Sequence, residues 1–431
     1  MIIYVVQPGD NIYSIAEAYG VSAIRLIQEN GINNPYGLVP GQTIIITIPA
    51  QVHTVQVGET LDQIERAYEI THLQMLQNNI YLFHREYIYP DDILVIRYNT
   101  IGDMTTNGVI LPHINMATLE KTLPYLTYLS VLNYRTEKNG RIEAYEDDTK
   151  IVELSKNYGT APLLMISTLN PQGDPNLEVV YEQLLDEAAQ DIFINNLLDI
   201  LRSKGYYGVN IVFSYLSTSN QELHKKLYIK IAGILRGENF QCFLTINPNT
   251  NAMSDIQEID YTGFSDYVDG VVLMRFLWGL NSGPPEPVIS NPHTKLYMQY
   301  LLNFFRPDQL SIGVPVIGYE WELPYVSGKS AANSLTIDSV LSLATNVNSV
   351  IEYDQESQTP FFEYYQYSYG FLIEHMVWYT DARTVDAILY FISENGLSGV
   401  GILNIMIFCY QLWLVINSQY RIIKLFPDNL T

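Results

Sequence analysis

Seven apolar runs in the chain end in side chains that could do chemistry or bind a ligand. These ends are Asn133-Tyr134, Ser167, Val212-Phe213-Ser214-Tyr215, Asn247, Arg275-Phe276, Glu320-Trp321 and Leu403-Asn404. General acid catalysis needs a group that carries a proton near neutral pH and sits on the reacting atom. Glu320 is the one carboxylate in that set, and the Ser214 hydroxyl cannot do that work. Tyr319, Trp321 and Trp378 offer aromatic faces on which a sugar could stack or a core could pack. Cys242 and Cys409 lie far apart in apolar runs, so neither a disulfide framework nor a zinc site can be built from them. The expectation is no metal and no cofactor.

Elements that could position these groups follow from the hydrophobic pattern. Candidate strands are Gly108–Leu111, Tyr128–Tyr134, Pro162–Thr168, Gly208–Phe213, Cys242–Asn247, Gly270–Phe276, Leu310–Val316 and Gly399–Ile405. Helical patterns such as Ala188–Ser203 and Gln221–Arg236 fall between them. Eight such units predict an α/β chain folded as a (β/α)8 barrel over residues 104–427, whose functional groups sit at the C-terminal strand ends. Residues 98–107 read as a polar connector. Residues 317–379, rich in Gly, Ser, Gln and Tyr, read as a small α+β insertion before the eighth strand. The uncharged stretch 395–420 is long enough to raise a membrane span. Asn404, Gln411 and Asn417 interrupt it, so a buried strand running into an apolar-faced helix is the expectation.

The first hundred residues repeat themselves. Tyr4-Val5-Val6-Gln7-Pro8-Gly9-Asp10-Asn11-Ile12 is echoed by His53-Thr54-Val55-Gln56-Val57-Gly58-Glu59-Thr60-Leu61. Leu26-Ile27-Gln28-Glu29-Asn30 is echoed by Leu76-Gln77-Asn78-Asn79, and Pro40-Gly41-Gln42 by Pro90-Asp91-Asp92. Each unit predicts a half-buried strand, a glycine turn, two short helices and a closing strand. Ile12, Ile15, Ala16 and Tyr19 share one helical face, and Asp10 and Glu59 are placed where acid suits a helix N-terminus.

This βααβ pattern resembles the LysM module, giving units at 1–49 and 51–98. The second match is weaker, with Asp91 where the first has Gly41. The resemblance implies binding of N-acetylglucosamine-containing glycans in a groove between the turn Gly9–Ile12 and the loop Asn33–Leu38. Its contacts would come from Gly9, Asp10, Asn11, Ile12, Asn34, Pro35 and Leu38. The second unit would use Gly58, Glu59, Thr60, Leu61 and a loop near 80–89.

The remainder resembles glycoside hydrolase family 18, as found in LysM-bearing N-acetylglucosaminidases of bacterial spores. The resemblance rests on stretches such as Gly205-Tyr206-Tyr207-Gly208-Val209-Asn210-Ile211, Ile312-Gly313-Val314-Pro315-Val316-Ile317-Gly318-Tyr319-Glu320-Trp321 and His375-Met376-Val377-Trp378-Tyr379. It implies a fourth strand ending in Asp-Gly-x-Asn/Asp-x-Asp-x-Glu, whose Glu is the acid and whose preceding Asp holds the substrate's acetamido group. Here those positions are Tyr207, Asn210, Val212 and Ser214. The sixth strand's Met-x-Tyr-Asp becomes Met274-Arg275-Phe276-Leu277, and the eighth strand's tryptophan is Leu403. The losses run through the whole site, so no catalytic residue is expected. The candidate replacement is Glu320, where the family has a supporting Asp.

A charge of −23, from 46 acidic and 23 basic residues, excludes a duplex-binding surface, which needs cations to replace counterions. The N-terminus enters a strand pattern at once, with no signal-peptide core, so deposition on a wall or spore from the cytoplasm is expected. The sequence therefore predicts a peptidoglycan-binding protein of a spore or cell wall with a degenerate barrel, and wall or coat proteins as further partners. The alternative is an active N-acetylglucosaminidase or chitinase-like hydrolase with a non-standard acid. The tyrosine run Glu363 to Tyr369 suits carbohydrate or protein contacts, a hairpin with cross-strand aromatics, or oxidative cross-linking.

Overall fold

The computed structural model describes residues 1–85, 87–168, 176–213, 216–247, 259–274, 283–368 and 370–426. Two small modules lead into a closed barrel with a lobe at its rim.

The first module pairs β1 (Ile2–Val5) with β2 (Thr43–Ile46) antiparallel, and helices Ile12–Tyr19 and Ala23–Asn30 cover them. Its core is Val6, Ile12, Ile15, Ala16, Leu26, Ile44 and Ile46. Tyr19 does not join it, but stays exposed with its ring edge against Tyr4. The second module pairs β3 (Gln51–Thr54) with β4 (Ile93–Arg97) around helices Leu61–Tyr68 and His72–Asn78. One buried asparagine per module ties the second helix to the closing strand. Asn30 exchanges hydrogen bonds with the Ile45 backbone (2.8 and 2.7 Å), and Asn79 does the same with Val95 (2.8 and 2.7 Å). A buried amide that satisfies both strand groups fixes the register of that strand.

The helices begin at Ile12 and Leu61 as expected, with Asp10 and Glu59 one residue before their caps. The helix caps are the next residues: Asn11 accepts from the Tyr13 and Ser14 amides, and Thr60 from the Gln63 amide. Asp10 and Glu59 close the preceding turns. Each accepts a backbone N–H at 2.7 Å, from Gln7 and Gln56, and each also binds the first strand, through Tyr4 Oη and His53 Nε2. The Gln56 amide, then His53, hold the Glu59 carboxyl below its usual range. Asp91 takes the place of Gly41 because both positions have positive φ, 71° and 88°.

The barrel strands are β5 (Gly102–Ile110), β6 (Tyr128–Thr136), β8 (Ala161–Ser167), β9 (Gly208–Phe213), β10 (Gln241–Ile246), β11 (Gly270–Leu273), β12 (Leu310–Pro315) and β18 (Gly399–Leu403). All eight neighbouring pairs are parallel, and β5–β6 closes the ring. This is the expected α/β barrel, and each of its strands overlaps a predicted one. A short β7 (Ile142–Ala144) adds to β6 as a hairpin.

The polar connector is shorter than expected, because β5 already begins at Gly102. Its hydroxyls are absorbed locally: Thr106 donates to the Tyr125 carbonyl (2.6 Å) and Thr105 to that of Ser398 (3.0 Å). The sequence pattern also gave no sign of β19 (Tyr420–Ile422), which runs parallel to the start of β5. Residues 395–420 hold β18 and a helix of eight residues, Tyr410–Asn417. Among the described residues no helix is long and apolar enough to cross a membrane.

The insertion is a five-stranded antiparallel sheet: β13 (Gly318–Leu323), β14 (Asn333–Leu335), β15 (Glu352–Asp354), β16 (Thr359–Ser368) and β17 (Phe371–Tyr379), with a helix at Ile337–Asn346. The tyrosine run lies on the β16–β17 hairpin. Tyr364 stacks on its cross-strand partner His375 at 4.6 Å, while Tyr365 and Tyr367 point to solvent. Tyr369 lies outside the described residues.

Candidate functional site

A barrel presents its chemistry at the C-terminal strand ends. Among the described residues the mouth is apolar. Val109, Leu132, Met165, Val212, Val272, Met274 and Leu403 are all buried and form one cluster, with Leu111 packed against it. Gly313 and Gly401 make room for Met274: a Cβ on either would lie within 3 Å of it. Val212 and Leu403, where the resemblance implies an acid and a tryptophan, are part of this packing. Ser214, Phe276 and Leu277 lie outside the described residues, as do Tyr215, Arg275 and the segment 248–258.

One level deeper the barrel is polar. Asn210 is buried, donates to Ser130 Oγ (3.0 Å) and accepts from Thr245 Oγ1 (2.7 Å); Ser130 in turn donates to Asn107 (2.9 Å). Residues two apart on a strand point the same way, so Asn210 and Val212 both face inward, the first into this network and the second into the apolar mouth. Tyr207 is elsewhere. It precedes β9 at the N-terminal end of the barrel, where its ring meets Phe426 edge-on. Loss of an acid there is remote from the mouth.

Glu320 is not at the end of a barrel strand. It lies within β13 of the inserted sheet, on the face that carries Tyr364. Its carboxylate accepts the Tyr364 hydroxyl, approaches His375 Nδ1 at 3.1 Å and receives Asn333 Nδ2 at 3.4 Å. Burial, then this hydrogen bond, push the Tyr364 phenol upward, so it stays protonated as the donor. A carboxylate engaged on three sides in a side lobe is poorly placed as a general acid for the mouth.

The aromatic candidates are also packed. Tyr319, Trp321 and Trp378 share the opposite face of that sheet with Val288 and Ala332. Trp321 is 2 % exposed and donates to the Gly283 carbonyl (3.0 Å), and Trp378 stacks on Phe361 at 4.6 Å. Their expected role as sugar platforms is corrected to core packing, because both faces of each ring are occupied or buried.

In the first module the expected groove is open at Gly9, which is exposed with φ 92° and no atom within 4 Å of an added Cβ. Asn34 is exposed, and Asp10, Asn11, Pro35 and Leu38 are half-buried. Ile12 is fully buried, so its side chain belongs to the core and only its backbone could face a ligand. Across the gap stand two residues the sequence analysis did not single out. The Tyr13 and Tyr36 rings lie 5.6 Å apart, and Tyr36 is 79 % exposed. A solvent-facing tyrosine pair offers apolar faces and hydroxyls to a sugar. Its signal in the sequence was a tyrosine beside each proposed groove segment. In the second module Gly58 and Thr60 are exposed and Glu59 and Leu61 half-buried, whereas the facing loop is partly a short helix with Ile80 and Leu82 buried. That groove is less open.

Both modules are docked onto the barrel. Gln411 donates to the Thr43 carbonyl (2.7 Å) and Asn30 Oδ1 (3.2 Å), and accepts the Thr43 hydroxyl (2.9 Å). Gln77 donates to the Pro124 carbonyl (2.6 Å), and its own carbonyl accepts from Tyr125 and Asn417. Among the described residues no cluster of His, Cys, Asp and Glu could hold a metal ion.

Comparison with known proteins agrees with this architecture. Residues 4–47 and 53–97 match the LysM domain, and residues 117–406 match Glycosyl hydrolases family 18. The cortical fragment-lytic enzyme of Bacillus subtilis is 28 % identical over 98 % of this chain and 99 % of its own. The crystal structure of the Bacillus cereus spore cortex-lytic enzyme SleL superposes with a TM-score of 0.80 at 24 % identity, covering 98 % of this chain and 99 % of that one. A chitinase from Chromobacterium violaceum matches at 0.65 and 16 %, covering 73 % of this chain and 98 % of its own. The chain therefore belongs to glycosyl hydrolases family 18, with two LysM domains ahead of its barrel.

Proposed function

We propose that this protein binds N-acetylglucosamine-containing glycan of a spore cortex or cell wall through its LysM modules, and that its barrel is a non-catalytic scaffold. The parts are the modules at 1–49 and 51–98 and the barrel at 104–427. The observation that carries the reading is the apolar packing of Val212, Met274 and Leu403 where the family's reaction needs charge. A transition state that develops positive charge is stabilised by fixed dipoles and anions, which valine and leucine do not supply. Binding falls to the first module, whose groove is open and flanked by Tyr13 and Tyr36. Sedimentation with purified peptidoglycan tests this. The full chain pellets with the wall, and Tyr13→Ala with Tyr36→Ala stays largely in the supernatant; equal pelleting of both would count against this groove.

A second reading is hydrolysis of cortex fragments with a non-standard acid. It is favoured by the end-to-end likeness to the cortical fragment-lytic enzyme. The position of Glu320 in the side lobe argues against that residue as the acid.

A further inference from the structure

A cavity of about 260 Å3 opens where the first LysM module, the inserted lobe and the barrel meet. Asn34 and Leu38 line it from the module, Asp338 and Ser342 from the lobe helix Ile337–Asn346, and Asn404 and Phe408 from the segment after β18. Its size, just below the ~300 Å3 at which small-molecule pockets begin, suits one ring-sized unit. Its wall mixes amides and hydroxyls with apolar side chains, the pattern that recognises a sugar ring with a polar rim and apolar faces.

Charge narrows the ligand. Among the described lining residues there is no Lys, Arg or His, while Asp338 and Asp381 are both present. Asp381 is held by Arg383 at 2.7 Å. Asp338 keeps an exposed edge at the cavity wall, and desolvation on its inner side raises its carboxyl above the ordinary range. Nothing in this wall would attract an anion.

Position supplies the rest. Asn34 and Leu38 belong to the loop that borders the LysM groove. Asn404 directly follows Leu403 of the barrel mouth. The loop that borders the groove and the segment that follows the barrel mouth therefore wall the same cavity.

We propose that the cavity is a sugar subsite for an uncharged N-acetylhexosamine unit, so that one glycan strand is held by the first LysM module and the barrel together. The inference rests on the glycan-binding reading above, and adds that the module and the barrel act as one surface.

Calorimetric titration of the full chain with N-acetylglucosamine oligomers of two to six units tests it. Ser342→Trp fills the cavity from an exposed helical position, and Asp338→Asn alters its wall without changing its shape. Affinity of the unaltered protein is expected to rise with oligomer length. Ser342→Trp should lower affinity for the longest oligomer about ten-fold, or ~1.4 kcal/mol, while the shortest still binds and the melting temperature is unchanged. Asp338→Asn should give a smaller loss of the same kind. If both variants keep the length dependence of the unaltered protein, the subsite is refuted and the LysM groove stands. If the unaltered protein binds no oligomer, the glycan-binding reading falls and the subsite with it.

Discussion

The Glu320 carboxylate lies 3.1 Å from His375 Nδ1, two residues that face each other near the cross-strand pair of β13 and β17. The pair joins the stacked Tyr364 ring and belongs to the lobe's architecture. Glu320→Gln should therefore lower stability by about 1.5–3 kcal/mol, the size of hydrogen bonds to a charged group in a mostly buried setting. Urea unfolding reads that loss. Glycan binding to the LysM groove should not change.

Placing acids where the family resemblance implies them gives a sharp structural test. Val212 is 5 % exposed and surrounded by Met165, Val272, Met274 and Leu403. Val212→Asp places a carboxyl in that cluster and should cost about 3 kcal/mol. Burial raises the folded-state pKa of such a group above its unfolded value near ~3.9. The folded state then holds the proton longer, so stability falls as pH rises from ~4 through the raised value. The double variant Val212→Asp with Ser214→Glu should release no glycan fragments, because the packed mouth remains.

Lys121 gives a pH dependence of the opposite sign. Its ammonium donates to Tyr410 Oη (2.6 Å) and lies over the Phe408 and Tyr410 rings at 4.4 and 4.0 Å. Burial lowers its pKa to about 8. Between pH 8 and the unfolded value near ~10.4 the unfolded chain holds the extra proton. Raising the pH through that window therefore increases stability. Urea midpoints measured from pH 7 to 10 should rise, and Lys121→Met should flatten the rise.

Docking of the first LysM module depends on Gln411. Gln411→Ala leaves the Thr43 carbonyl and hydroxyl short of a partner at a half-buried seam, a loss of about 1–3 kcal/mol. The module should then melt ahead of the barrel in calorimetry, where the unaltered chain keeps them coupled. A single unchanged transition would show that Gln411 does not hold the seam.

How far the sequence led differs by element. The barrel strands were legible because each buried strand is a short apolar run between helical patterns, and the modules because they repeat. The start of β5 was not: Thr105 and Thr106 look polar in sequence, and only their bonds to Ser398 and Tyr125 show them to be inside. Only four residues separate Glu320 from Pro315 at the end of β12, so it was taken as a strand-end group although the chain has already turned into a second sheet at Gly318. Trp321 and Trp378 stayed open between sugar stacking and core packing, because a buried indole and an exposed one look alike in sequence. The seam cavity was out of reach, since its walls come from segments near 34, 338 and 404 that only the docked fold brings together. Tyr13 and Tyr36 are 23 positions apart, and their pairing depends on the loop between the second helix and the closing strand.

The full chain should hold cortex glycan through its LysM modules without cutting it. The most direct measurement incubates the full chain with purified spore-cortex peptidoglycan and follows soluble fragments by mass spectrometry, alongside protein bound to the pellet. Bound protein and no fragments above a protein-free control are expected. Fragments ending in newly exposed N-acetylglucosamine, formed in proportion to added protein, would contradict this and make this chain a hydrolase.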